Sequence, residues 1–207
     1  MGIVHKATLS PSKQELVESW LPSRSWADGH RIAEKVAEYR FDDPAGEVGV
    51  ETILWRTDDG TLLQTPLTYR AAPLAGAEEH LIGTTEHSVL GRRWAYDGCG
   101  DPVWAATLAV GILTGARQAQ MYFEDDGRRI DIPARMQVRG SGGDGDVPAV
   151  VHVDAVHDDG DVTTVRAGEV EIDLARVVGT PLGEGPHLSG SVGDSSESTV
   201  LAVLRRV

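Results

Sequence analysis

Between Gly83 and Pro102 the chain reads GTTEHSVLGRRWAYDGCGDP. Glu86, His87, Ser88, Tyr96, Asp97, Asp101 and the chain's single cysteine, Cys99, fall within these twenty residues. They are the residue types of nucleophilic catalysis: a thiol or hydroxyl, an imidazole base, and a carboxylate to orient it. Their spacing argues against that use. Glu86, His87 and Ser88 are consecutive, and neighbours on a strand point to opposite faces. Asp97 and Asp101 flank Cys99, and nearby negative charge raises a thiol's pKa. The stretch is read instead as a strand ending at Tyr96 and Asp97, a Gly-Cys-Gly turn, and a helix opened by Asp101 and Pro102.

Other constellations carry less chemistry. His152, Asp154 and His157 supply the nitrogen and oxygen ligands of a zinc or iron site. The first two share a strand face and His157 lies at the following turn. No third histidine stands at a ligand spacing, so no metal is assigned and no cofactor is expected. RGSGGDGD (Arg139–Asp146) is rich in glycine, as phosphate loops are. It lacks the Lys-Ser/Thr of a P-loop, carries aspartates, and precedes no expected helix. RSWADGHR places Trp26 and His30 on a turn, where a tryptophan can stack on a sugar ring or fill a partner's pocket. Packing beneath a sheet is the commoner fate. The binding candidates are therefore Trp26, His30, Glu86, His87, Tyr96 and Asp97. Glu86 and Asp97 become a glycosidase-type pair only if neighbouring strands bring them face to face.

The elements that must position these residues follow from turn and cap chemistry. SPSKQELVESWL is a helix with Ser10 or Ser12 as cap and Pro11 in its first turn. DPVWAATLAVGILTG is a second helix, capped by Asp101, closed by Gly115, and apolar at nearly every position between. Asp-Asp-Gly occurs at 58–60, 125–127 and 158–160, and Asp-Gly favours the turns that join antiparallel strands. Further strands are expected at Lys35–Phe41, His80–Gly83, Ser88–Tyr96, Arg135–Arg139, Gly168–Val178 and Thr199–Arg205. Arg139–Pro148 and the long Gly179–Ser198 stretch read as loops.

The implied fold is α+β, mainly antiparallel sheet, with the apolar 102–114 helix packed on a front sheet and a β-rich C-terminal part. A seam near Gln118 divides 1–118, an α+β domain, from 119–207, which is either separate or packed as one unit with the first. The chain of 207 residues is long enough to bury a core unaided. Its net charge of −13 argues against nucleic acid and anionic membrane surfaces as partners. One cysteine allows no internal disulfide, and no stretch approaches the ~18 apolar residues of a membrane span. A cytoplasmic location is expected.

Three elements in order carry a family resemblance: the turn with Trp26, the strand element Gln64-Thr65-Pro66-Leu67, and Tyr96-Asp97 running into Asp101-Pro102. Over Pro22 to Gly115 the chain resembles the N-terminal cap domain of bacterial maltokinases. The resemblance implies an antiparallel sheet packed on a helix. In the full kinases this cap precedes a phosphotransferase-like body that makes maltose 1-phosphate from ATP. That body's His-Gly-Asp catalytic loop and magnesium carboxylates have no counterpart here. Phosphoryl transfer needs metal, base and phosphate donors together. The expectation is a non-catalytic accessory or regulatory module. By analogy it belongs to α-glucan, maltose or trehalose metabolism, partnered by a protein of that metabolism or by a second copy of itself. The alternative is a carbohydrate-binding protein or carbohydrate-active enzyme using a cleft near Trp26, Glu86, His87 and Asp97.

Overall fold

Ser12 opens the first helix through a capping box: its hydroxyl accepts from the Glu15 N–H, and the Glu15 carboxylate accepts from the Ser12 N–H. The cap is thus Ser12, and Pro11 precedes it instead of lying in the first turn. The computed structural model describes residues 2–3, 7–125, 127–143, 146–193, 195 and 197–207. In chain order, β1 (Gly2–Ile3) and β2 (Leu9–Ser10) lead into α1 (Lys13–Trp20). Then come β3 (Ile32–Asp42), β4 (Gly49–Thr57), β5 (Leu62–Arg70), β6 (Leu81–His87) and β7 (Gly91–Asp97). After α2 (Pro102–Leu113) follow β8 (Met121–Asp125), β9 (Arg128–Asp131) and β10 (Met136–Gly140). The chain closes with β11 (Ala155–Asp159), β12 (Val162–Ala167), β13 (Val170–Ala175), β14 (His187–Val192) and β15 (Thr199–Arg206).

The strands form a front sheet, β2-β6-β7-β5-β4-β3, a back sheet, β10-β14-β15-β13-β12-β11, and a small sheet, β1-β8-β9. Apart from the parallel β1–β8 pair the named strands run antiparallel, so the α+β, mainly antiparallel class is the observed one. The three Asp-Asp-Gly turns join β4 to β5, β8 to β9 and β11 to β12. Asp126 of the second turn lies outside the described residues, as do 144–145 in the Arg139–Pro148 loop and 194 and 196 in the Gly179–Ser198 stretch.

Three expectations are corrected. β14 lies inside Gly179–Ser198, where its Gly190 faces Thr199 across the ladder and leaves room that the Met136 and Leu201 side chains fill. β7 starts at Gly91, because Ser88–Leu90 turn beneath the His87 ring. β11 starts at Ala155, so His152 and Asp154 precede the strand and His157 is inside it, opposite Thr164.

The near-uniform apolarity of α2 has a structural cause. Trp104, Ala105, Leu108 and Ile112 pack in one core with Ala37, Tyr39 and Leu54 of the front sheet and with Val138, Ile172 and Leu188 of the back sheet. The helix is therefore sheathed on both sides, not laid across one sheet. Contact with β10 is close: a Cβ at Gly140 would stand 2.1 Å from the Gly111 carbonyl oxygen. The opposite face of the front sheet carries a second core, in which Val17, Trp20, Leu21 and Trp26 cover Ile53, Trp55, Leu63 and Leu67. β4 and β5 are thus buried on both faces, which is why their side chains are enclosed almost end to end. Among the described residues no helix is long and apolar enough to cross a membrane.

Candidate functional site

At the end of β7 the chain turns through Gly98–Gly100 and enters α2. Asp97 accepts from the Cys99 N–H at 3.3 Å with one oxygen and from Arg176 Nη2 at 2.6 Å with the other. Arg176 donates from Nε to Thr163 Oγ1 at 2.7 Å, and the Thr163 hydroxyl donates to Asp158. Its guanidinium also lies 4.6 Å from the centroid of the Trp26 ring, a cation–π distance. Asp101 is completely buried. It accepts from Thr68 Oγ1, from Arg70 through two nitrogens, and from the Val103 N–H that it caps. The Tyr96 hydroxyl accepts from the Leu74 N–H.

Burial and charge both disfavour a thiolate nucleophile at this corner. Burial pushes the Cys99 thiol well above its ordinary pKa; Asp97 and Asp158 push the same way, and the attraction of Arg176 does not offset them. Burial works against the Arg176 charge, but Asp97 and the other acidic groups around it more than compensate, so the guanidinium is held protonated. Each side chain here holds the corner to its neighbours.

The remaining candidates are dispersed. Trp26 is buried beneath Arg176. His30 Nδ1 lies 3.2 Å from Asp59, at the β4–β5 turn. Glu86 pairs with Arg92 on the exposed end of the β6–β7 hairpin. His87 Nδ1 accepts from the N–H groups of Val89 and Leu90. Trp26, Glu86, His87 and Asp97 therefore do not line a common cleft. His152 lies 2.8 Å from Asp154, whose carboxylate also accepts from the Gly168 N–H. Among the described residues no three His, Cys, Asp or Glu side chains gather closely enough to hold a metal ion.

A cleft does exist, at the uncovered end of the α1 face of the front sheet, with a volume of about 730 Å³. Strand register builds it. Arg40 on β3 faces Glu51 on β4, Glu38 lies one pair further along the same face, and Tyr69 on β5 faces Gly49 on β4. Lys13, at the start of α1, reaches down to Glu51 at 2.5 Å and passes 5.3 Å from the Tyr69 ring centroid. Lys35 pairs with Glu38 at 3.0 Å.

The two glutamates are driven apart in acidity. Burial and the neighbouring Glu51 carboxylate raise the Glu38 pKa, and Lys35 opposes this only in part. Burial pushes Glu51 up as well, but Lys13, a hydrogen bond with Glu38 and the charge of Arg40 outweigh it and bring it to about 2. Glu38 is thus the weaker acid of the pair and Glu51 the stronger. Burial and Glu51 also lift the Tyr69 hydroxyl well above its ordinary value.

These residues escaped the sequence reading, although one signal was present. Glu51 interrupts the apolar run VGVETILWRT, and a carboxylate in a strand buried on both faces requires a dedicated cation. Nothing local identifies that cation as Lys13, which lies 38 positions away on a helix.

Residues 20–101 match the family described as the maltokinase N-terminal cap domain. No curated protein matches the chain. The matched segment runs from the end of α1 through β7 to the cap of α2. It includes Trp26, Gln64, Tyr96, Asp97 and Asp101, and stops short of the back sheet.

Proposed function

We propose that the chain is a non-catalytic module of the maltokinase-cap type, with an accessory or regulatory role in α-glucan, maltose or trehalose metabolism. The observation that carries this reading is the fate of the reactive corner. Asp97, Asp101, Tyr96 and Cys99 are buried, and the first three are engaged by Arg176, Arg70 and the Leu74 N–H, which leaves none of them facing a substrate. The family match supplies the cap, and the residues beyond it are spent on a second sheet that sheathes α2. The metabolic setting follows from the family's description alone.

The direct test is phosphoryl transfer. The protein is incubated with magnesium, ATP and maltose, and ADP is followed by a coupled assay. The expected result is no maltose-dependent ADP. Sustained maltose-dependent turnover, lost on mutation of this chain, overturns the reading.

A further inference from the structure

We draw no further inference here: the strongest candidate, the cleft at the uncovered end of the α1 face of the front sheet, carries nothing, since Lys13 and Lys35 answer Glu51 and Glu38, Arg40 and Tyr69 both interact with the buried Glu51 carboxylate, and nothing in the structure shows what covers it.

Discussion

Asp97 and Arg176, 79 positions apart, meet in a buried ion pair at 2.6 Å. The pair joins the segment that matches the cap family to the end of β13, inside the back sheet, and it is not alone there. Gln64, also in the matched segment, donates from Nε2 to the carbonyls of Ala175 and Leu201 and accepts from the Tyr39 hydroxyl. Removing one member of a buried pair strands the other charge, a loss of about 3–5 kcal/mol. Arg176→Met and Asp97→Asn are each expected to lose stability on that scale in urea unfolding. The double variant should recover part of the loss, because no stranded charge remains. Strictly additive losses would mean that the two side chains are not coupled.

Asp101 combines two roles that substitution can separate. Asn at this position keeps an acceptor for the Val103 N–H but gives up the charge that holds Arg70. Ala gives up both. Asp101→Ala should therefore be less stable than Asp101→Asn by about 1 kcal/mol, the ordinary worth of an N-cap. Both should fall below the parent protein, because Asp101 is buried and serves Thr68 and Arg70 as well. Equal unfolding midpoints for the two variants would remove the cap from the account.

The fold was legible where chemistry is local. Asp101-Pro102 and Gly115 mark the bounds of α2, and the Asp-Asp-Gly turns fix three hairpins, because caps and tight turns are written in adjacent residues. What could not be read was pairing at a distance. Strand β14 looks like a loop in sequence because HLSGSV is rich in serine and glycine, and only the apolar layer under Gly190 makes it a strand. The cleft escaped for the same reason: Lys13, Arg40, Glu51 and Tyr69 come from four elements and meet through register. Conversely, Glu86, His87, Asp97 and Cys99 drew attention by being close in sequence, while the structure sends them to an exposed hairpin and a sealed interior.

The sealed interior makes a prediction about Cys99. Its thiol is inaccessible, and burial with Asp97 and Asp158 keeps it protonated. A thiolate-selective reagent such as DTNB should leave the native protein essentially unlabelled at neutral pH and modify one thiol per chain after denaturation. Adding sub-denaturing urea should raise the labelling rate only in step with unfolding. Rapid labelling of the native protein would reopen the corner as a reactive site.

The cleft glutamates predict opposite pH limbs. Glu51 is depressed from 4.5 to about 2, so its contribution is present above pH 4.5 and is lost as pH falls towards 2. That shift corresponds to a few kcal/mol, on the order of 3, less what the partly exposed Lys13 loses to solvent screening. Glu38 is raised, so its contribution is full below 4.5 and declines as pH rises through its folded value. Glu51→Gln should lower stability at neutral pH and flatten the acid limb. Lys13→Met should act in the same direction, since it removes the principal attraction holding Glu51 ionised. Glu38→Gln should do the reverse: near pH 4 it should match the parent or fall slightly below it, and at pH 7 it should gain on it. Urea unfolding of the four proteins from pH 3 to pH 8 checks this. If Glu38→Gln and Glu51→Gln shift the curve in the same direction at every pH, Glu38 and Glu51 are not the weaker and the stronger acid of the pair.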